Sequence, residues 1–435
     1  MTPSPIQAWE HRSDPALANY REWLQKQKTN QYKPETLGLH EKSDGFAPGN
    51  YIGMVWLGEG KDQKVLRVDS KFPDMDYIAM YVKCMSHPKI AEKAARCLYV
   101  WEEQNPISTN GYDFSILAVI AYLRELNELC QRHMRRHFIC KTQNFVGKVK
   151  GKILINKHLQ HNIARARPDR IYCEYQSVSN DILENQILRA ALERAARYLN
   201  LNEYHDNENL PAVLQQWIRA SRAALQDVST RHVKLTDFSI ARKNKTFAFY
   251  ARPLALAKMI LSHLGPNPHA EISRAYTPPY AFNSSILFEC YAEIKLSDKF
   301  KALKRGIKRY SPNAGDFNVQ IEPDFYIPNG QTPQIIDAKY KKMHHSYFTD
   351  TEIDKDNKKL NPSRHDVYQI VAYSQHQGLL DDMKCKDRNF AELGLAYPYV
   401  GESKEPVISK KQTRAFMSRL TVYGIPCPPK KQQKK

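Results

Sequence analysis

Apolar and polar positions alternate in ways that divide the chain into strand-like and helix-like stretches. Two short apolar runs, 51–57 and 64–68, are separated by Gly58-Glu59-Gly60, which predicts a β-hairpin in a small β-rich module. The stretch 145–158, with lysines between apolar residues, suits a strand. Apolar residues recurring every three or four positions predict helices at 111–137, 180–199, 212–225, 253–264, 284–296 and 366–377. The fold class expected is therefore α+β or α/β with several domains.

A second predicted hairpin carries acidic groups and an amine on one face. Asp324 lies at the edge of its first strand, and Asp337 lies in its second strand, thirteen positions later. Because strand side chains alternate, Asp337 and Lys339 point to the same face, while Ile336 and Ala338 point to the opposite one. The Ile336 face suits a core, so the polar groups are expected to converge on the other side.

The helices predicted before and after this hairpin add further polar groups. Glu289 and Glu293 lie one turn apart on the preceding helix. Glu289 has apolar neighbours on both sides, a setting that a purely solvated glutamate does not favour. On the following helix, Gln369 and Tyr373 are four residues apart and share a face, from which they could hydrogen-bond a lysine, a nucleotide or a phosphate.

Breaks in these patterns predict five segments. Prolines interrupt the polar N-terminal residues, and the turn Gly265-Pro266-Asn267-Pro268 is expected to precede the domain that holds the second hairpin. The predicted segments are a flexible arm (1–45), a β-rich and helical module (46–145), a strand plus helical middle region (146–268), a domain with a mixed central sheet (269–400), and a C-terminal strand with a basic tail (401–435).

Composition narrows the classes of partner. The net charge of +19 favours polyanions, of which nucleic acid is the commonest. No run of eighteen apolar residues exists and the N-terminus lacks a signal-peptide pattern, so no membrane contact is expected. The eight cysteines form no CxxC pair, which favours reduced thiols and a cytoplasmic location.

The second hairpin is a candidate metal site. Two carboxylates, Asp324 and Asp337, beside the amine of Lys339 are the groups needed to bind Mg²⁺, or Mn²⁺ as a substitute, and to hydrolyse a phosphodiester. The alternative is that Asp337 and Lys339 form an exposed ion pair on an edge strand, which contributes little energy.

The order Pro323-Asp324, then Asp337-Ala338-Lys339, resembles the PD-(D/E)xK nuclease superfamily. The resemblance implies a restriction-endonuclease-like α/β domain with a mixed central sheet and a third carboxylate from the helix before the hairpin. The metal ligands that it implies are Asp324, Asp337, the carbonyl of Ala338, and Glu289, with Glu293 as the alternative to Glu289.

The same resemblance implies roles for the remaining polar groups. Lys339 would orient the attacking water and neutralise developing charge. The spacing Gln369-x₃-Tyr373 behind the hairpin looks like the accessory motif of the RecB-like branch of the superfamily.

Two further segments are similar to the McrC family, the nuclease subunits of McrBC-type 5-methylcytosine restriction systems. They are Glu184-Asn185-Gln186-Ile187-Leu188 and Asp337-Ala338-Lys339-Tyr340-Lys341, within a resemblance that covers roughly 110–400. It implies double-stranded DNA as substrate and an McrB-like AAA+ GTPase ring as partner, whose GTP hydrolysis the subunit stimulates. The candidate docking surface is 46–145. In agreement, the sequence has no Walker A motif: 147–153 has three residues where the motif needs four.

Two other functions remain open at this point. One is a RecB-like exonuclease in DNA repair or in another phage-defence system. The other is a non-cleaving adaptor or activator of an NTPase ring, although a silent site has no chemical need for Asp324, Asp337 and Lys339 together.

Overall fold

The computed structural model of the chain forms two compact units. Unit 1 combines Met1–Leu117 with Tyr276–Lys435, and unit 2 comprises Ala118–Ala275. The described residues are 5–60, 63–101, 107–109, 113–132, 134–201, 212–241, 245–263, 275–306, 322–328, 333–342, 362–383, 391–401, 406–408, 413–415 and 418–430. The predicted turn Gly265-Pro266-Asn267-Pro268 lies outside these residues.

Strands and helices are numbered in chain order. The strands are β1 (Ile6–Trp9), β2 (His40–Lys42), β3 (Gly45–Ala47), β4 (Tyr51–Leu57), β5 (Lys64–Asp69), β6 (Leu98–Val100), β7 (Ile107–Thr109), β8 (His137–Val146), β9 (Lys152–Ile153), β10 (Arg170–Ser179), β11 (Ala275–Thr277), β12 (Tyr280–Asn283), β13 (Lys304–Arg305), β14 (Phe325–Ile327), β15 (Gln334–Ala338), β16 (Glu392–Val400), β17 (Val407–Ile408), β18 (Thr413–Ala415) and β19 (Ser418–Cys427). The α-helices are α1 (Arg21–Lys26), α2 (Tyr77–Met85), α3 (Ala91–Ala95), α4 (Asp113–Arg132), α5 (Ile155–His161), α6 (Leu183–Leu201), α7 (Ala212–Ala224), α8 (Leu235–Ala241), α9 (Ala251–His263), α10 (Ser284–Lys299), α11 (Arg364–Ser374) and α12 (Gln377–Asp382). Short 3₁₀ helices occupy Pro15–Tyr20, Pro34–Thr36, Ile163–Arg165 and Lys245–Tyr250.

One sheet of unit 1 has the strand order β1-β5-β4-β12-β6. The predicted hairpin of residues 51–57 and 64–68 is confirmed as the antiparallel pair β4–β5. Strand β12 then pairs with β4 close to Gly53, where an added Cβ would lie 2.2 Å from the carbonyl oxygen of Tyr280. This close approach of two backbones explains a glycine in the middle of a strand.

The N-terminal segment was predicted to be a flexible arm. Its described residues instead pack against the first sheet of unit 1. Strand β1 extends the sheet by pairing in parallel with β5. Four leucines from the segment are fully buried in the core beside it: Leu17, Leu24, Leu37 and Leu39. Two of the prolines, Pro15 and Pro34, begin 3₁₀ helices instead, and the side chain of Asp14 caps the first of these helices.

The second sheet of unit 1 is mixed, with the order β13-β14-β15-β16-β19-β17 and β18 beside β19. Strands β14 and β15 are antiparallel, whereas β15, β16 and β19 are parallel. Helix α11 packs on β15 and β16, and α10 also contacts β15. The core under α11 includes the fully buried Ile335, Ile370, Leu393 and Leu395. A mixed α/β architecture with mixed sheets, as predicted, is confirmed.

Unit 2 contains a three-stranded sheet, β8-β10-β9, and the packed helices α6 and α9. Two predictions in this region are wrong. The helix predicted to end at 137 stops at Arg132, and β8 begins at His137; the stretch predicted as a strand up to 158 contains helix α5. Both errors arise because the charged and apolar residues of 134–160 fit the helical period of about 3.6 residues and the strand period of about two equally well over such short lengths.

The predicted segment boundaries differ from this division into units, because residues before and after unit 2 form one body. None of the helices in the described ranges has both the length and the apolar content needed to cross a bilayer.

Candidate active site

The polar groups of the second predicted hairpin meet where β14 and β15 pair. Asp324 directly precedes β14, and Asp337 lies within β15 with only 2% of its surface exposed. The backbone N–H of Ala338 donates to Oδ2 of Asp324 at 2.7 Å, which fixes that carboxylate against β15. The backbone N–H of Lys339 donates to the carbonyl of Ala396 at 2.7 Å, so the β15–β16 ladder holds the lysine.

Lys339 is oriented by two side chains. Its ammonium group forms an ion pair with Asp337. It also donates to Oε1 of Gln369 at 2.6 Å, and Nε2 of Gln369 donates to the hydroxyl of Tyr373 at 2.8 Å. The structure therefore shows the contact between Gln369 and the lysine that the sequence pattern allowed, and it leaves the lysine little rotational freedom.

Burial makes the two aspartates difficult to ionise in the absence of a cation. The pKa of Asp324 is held well above its usual value, first by burial and then by the charges of Asp337 and Glu289. Burial also raises the pKa of Asp337, although Lys339 and a hydrogen bond with Asp324 partly oppose this rise. A divalent cation bound between these two neighbouring carboxyls would stabilise their ionised forms.

The predicted third ligand has cationic partners instead. Lys93 of α3 forms an ion pair with Glu289, and Nη2 of Arg305 lies 3.4 Å from the same carboxylate. Burial alone would lower the pKa of Lys93, but Glu289 holds it above its usual value. Glu293 lies 3.8 Å from Nη1 of Arg305, and burial raises its pKa.

Glu289 is near enough to Asp324 to raise its pKa, yet the three carboxylates do not form one cluster. Among the described residues, no three His, Cys, Asp or Glu side chains come together in a way that could hold a metal ion. The structure thus brings Asp324, Asp337, Lys339, Gln369 and Tyr373 together. It does not add Glu289 or Glu293 to the two aspartates.

The sequence did not predict a role for Asp366, a buried carboxylate at the start of α11. Asp366, 1% exposed, accepts from Nζ of Lys341 at 2.5 Å and from the hydroxyl of Tyr397 at 2.9 Å. Burial would raise the pKa of Asp366, but the hydrogen bonds from Lys341, Ser363 and Tyr397 hold it below its usual value. These contacts fix the first turn of α11, and therefore Gln369, against the strands.

Some of the residues that the sequence prediction did not include could have been recognised from their sequence context. Lys341 and Arg305 lie in basic clusters that surround the hairpin in the sequence, and Asp366 follows Ser363 at the start of a helix. Lys93 had no local signal, because it is 196 residues from Glu289.

The donor set fits a hard divalent cation. Asp324 and Asp337 offer oxygen atoms, which Mg²⁺ and Mn²⁺ prefer over nitrogen or sulfur. The raised pKa values of both carboxyls are the observation in favour, since deprotonation without a cation is costly here. Ala338 follows Asp337 in the chain and its backbone N–H donates to Asp324, and its carbonyl remains a predicted ligand.

Comparisons with known proteins agree with the sequence pattern. A family profile described as "McrBC 5-methylcytosine restriction system component" matches residues 47–380, which include every predicted site residue. No curated protein matches the chain significantly.

Two similar solved structures come from Thermococcus gammatolerans. One is a chain from a refined half-complex of a tetradecameric assembly of McrB AAA+ hexamers with bound McrC; it is 13% identical, with 98% of this chain and 95% of that chain covered and a TM-score of 0.40. The other is a chain from the cryo-EM structure of the McrBC complex, 15% identical, with 67% and 87% covered and a TM-score of 0.31. Both TM-scores are low, so the assignment to a family rests on the profile.

Proposed function

The chain belongs to the McrBC 5-methylcytosine restriction system component family, and on that basis we propose that it is the subunit that cuts DNA. The observation that carries the proposal is the joining of Asp324, Asp337 and Lys339 at the pairing of β14 and β15, with Gln369 holding the lysine. A subunit that only activated a partner would need neither the paired buried carboxylates nor the oriented amine. The fold proposed for this part of unit 1 is of the PD-(D/E)xK type.

Phosphodiester hydrolysis requires an activated water and compensation for the charge that develops on phosphorus oxygens. Asp324 and Asp337 would hold the Mg²⁺, with the carbonyl of Ala338 as a further ligand. Bound Mg²⁺ supplies positive charge for the transition state and lowers the pKa of water, and Mn²⁺ can take the same place. Lys339, kept in position by Gln369, donates a hydrogen bond to the attacking water or to a phosphate oxygen.

Glu289 has a different place in this proposal from the one predicted. Its ion pair with Lys93 and its contact with Arg305 must be exchanged before its carboxylate can join the two aspartates. Direct or water-mediated ligation by Glu289 therefore remains a proposal, and Glu293 remains the alternative.

We further propose that the partner is an AAA+ GTPase ring, as the resemblance to the McrC family implies and as the lack of a Walker A motif in this sequence supports. Exposed apolar side chains concentrate around the antiparallel pair β8–β10 and helix α5 of unit 2, at Phe138, Val146, Ile155, Leu159 and Val178. Exposed apolar surface of this kind is typical of a protein-binding site. The surface around this strand pair is the docking surface that we propose; β8 up to Phe145 lies in the predicted docking region 46–145, whereas α5 and β10 lie outside it.

The decisive experiment is cleavage of circular DNA with and without 5-methylcytosine, with Mg²⁺, GTP and the cognate AAA+ partner each present or omitted. We expect double-strand cleavage only when the DNA is methylated and all three additions are present, together with faster GTP hydrolysis when this chain is added. Cleavage that requires a free DNA end would instead support the exonuclease. Stimulated GTP hydrolysis without any cleavage would support the non-cleaving activator and contradict the proposal.

Magnesium is expected to raise the melting temperature of the metal-free protein, and to raise it more at pH 8 than at pH 6. The raised pKa values of Asp324 and Asp337 mean that these carboxyls favour the folded state while protonated and lose that contribution as the pH rises through the raised values. Mg²⁺ binds the deprotonated pair and has fewer protons to displace at pH 8. At about ten times its Kd, it should add about 1.4 kcal/mol to the free energy of unfolding.

Differential scanning fluorimetry measures both effects. The double variant Asp324→Asn/Asp337→Asn is the control and should show no shift with Mg²⁺ at either pH. An equal shift in the wild type and in this variant would place the bound ion elsewhere.

A further inference from the structure

A second group of buried polar side chains lies directly behind the candidate active site. Its centre is Glu10, which follows β1 and is 3% exposed. Burial raises the pKa of this carboxyl. Removing a carboxyl from water costs free energy unless hydrogen bonds compensate, so its partners matter.

Each oxygen of Glu10 accepts hydrogen bonds from a different part of unit 1. Oε1 accepts from the hydroxyl of Ser284. Oε2 accepts from the backbone N–H of Lys71 at 3.0 Å, from the hydroxyl of Tyr340 at 3.3 Å and from that of Ser70 at 3.4 Å. The carboxylate is therefore a junction between three segments that are distant in the chain.

One of these segments leads to Lys339, and another begins the helix of the predicted ligand Glu289. Ser284 is the first residue of α10, the helix of Glu289. Tyr340 is the residue after Lys339 and is itself 6% exposed. The orientation of one hydroxyl and the start of one helix thus depend on the same carboxylate.

Further contacts restrict the ring of Tyr340. Its hydroxyl lies 2.6 Å from that of Tyr77, and Nζ of Lys71 lies 4.0 Å from the ring centroid. The rings of Phe72 and Phe288 pack at 5.1 Å and 5.9 Å between centroids. Phe288 precedes Glu289, so the packing also links Tyr340 to α10. A side chain held on every side in this way fixes the backbone that leads to Lys339.

We propose that Glu10 is a positioning residue for DNA cleavage, which holds Lys339 through Tyr340 and the start of α10 through Ser284. The inference rests on the proposed function, since it concerns the same site. It assigns a role in that site to the N-terminal segment, through the hydrogen bonds of Glu10.

The test compares Glu10→Ala, Glu10→Gln and Tyr340→Phe in the full chain with its AAA+ partner. We expect Glu10→Ala to lower kcat about 10- to 100-fold, the cost of small displacements of catalytic groups, with KM changed less than about threefold because DNA contacts are intact. Glu10→Gln should recover much of the rate, since its amide oxygen can still accept from the backbone N–H of Lys71 while its amide NH2 can donate to the hydroxyl oxygen of Ser284. Combining Glu10→Ala with Tyr340→Phe should cost no more than Glu10→Ala alone, because both act through one contact.

Hydrogen exchange of the metal-free chain supplies a readout that does not depend on activity. Peptides covering 335–342 and 284–290 should exchange faster in Glu10→Ala than in the wild type, while the rest of unit 1 is unchanged. The control is Ser13→Ala, which removes a 2.8 Å hydrogen bond to Asp44 in the same N-terminal segment without contacting Tyr340 or Ser284. It should leave both rate and exchange as in the wild type. If Glu10→Ala does not fold, Glu10→Gln and Tyr340→Phe carry the comparison.

A lower melting temperature with an unchanged kcat and evenly raised exchange would show that Glu10 only stabilises the fold, and would overturn the inference. Unchanged cleavage by the Glu10 variants, with cleavage lost in Asp337→Asn, would overturn the inference but leave the proposed function standing. If the wild type cuts no DNA under any condition, the proposed function fails, and unchanged exchange at 335–342 in Glu10→Ala would then overturn the inference as well.

Discussion

Asp337→Asn is expected to lower the rate of DNA cleavage at least about 10³-fold, equivalent to about 4 kcal/mol of transition-state stabilisation. The substitution keeps the shape of the side chain and removes one of the two carboxylates proposed to hold Mg²⁺. The fold should tolerate it well, because burial raises the pKa of Asp337 and its charge therefore disfavours the folded state at neutral pH. We expect the melting temperature of the metal-free variant to equal or exceed that of the wild type.

The same chemical change at Asp366 is the matched control for stability. That carboxyl has a lowered pKa, so it contributes stability above its unfolded pKa and loses it as the pH falls through the folded value. Asp366→Asn should therefore lower the free energy of unfolding by about 1–3 kcal/mol, as expected for a buried hydrogen-bonded acceptor. Single-turnover cleavage and thermal unfolding measure both variants. Cleavage by Asp337→Asn within tenfold of the wild type would exclude Asp337 from the chemistry.

Gly306→Ala is expected to lower the cleavage rate about 10²-fold and to destabilise unit 1 by about 1–3 kcal/mol. A Cβ at this position would lie 1.8 Å from the carbonyl oxygen of Pro323. The backbone N–H of Gly306 also donates to the carbonyl of Asp324 at 3.0 Å, so any displacement moves the carboxylate proposed to bind the metal. Glycine is required here for space beside β14, because the Pro323 carbonyl is part of the backbone and cannot rotate aside.

Lys304→Ala on the same short strand, β13, is the control, because Lys304 is exposed and the substitution keeps its backbone pairing with Tyr326. It should melt and cut as the wild type does. A Gly306→Ala protein with wild-type cleavage and Mg²⁺ response would show that the Pro323–Asp324 segment can shift without affecting the chemistry.

The part of the site that was predictable is local in sequence. Strand alternation is enough to place Asp337 and Lys339 on one side of β15, and the helix period is enough to align Gln369 with Tyr373. The contact between Gln369 and Lys339 spans thirty residues, and it followed from the order of elements rather than from any single spacing.

The rest of the site and of the fold depends on tertiary contacts, which the spacing of residues along the chain does not predict. The ion pair of Lys93 with Glu289 removes the third carboxylate from the position expected for it, and nothing in the sequence around Lys93 marks it as a partner. The burial of Leu17 and Leu24 was likewise hidden, because prolines and polar residues around them are typical of both mobile arms and tightly packed 3₁₀ turns. The strand β8 shows the limit of periodicity, since its mostly exposed side chains leave no apolar alternation to read.

Because unit 2 is inserted between the two halves of unit 1, the order of synthesis controls when the site can exist. Glu10 and its hydrogen-bond partner Tyr340 are 330 residues apart in the chain. At roughly 5–20 residues per second, a ribosome needs on the order of 15–65 seconds to pass from one to the other. During that time unit 2 can fold on the nascent chain, while the strands β15, β16 and β19 have not yet emerged. An incomplete chain therefore lacks the assembled centre that we propose for DNA cleavage.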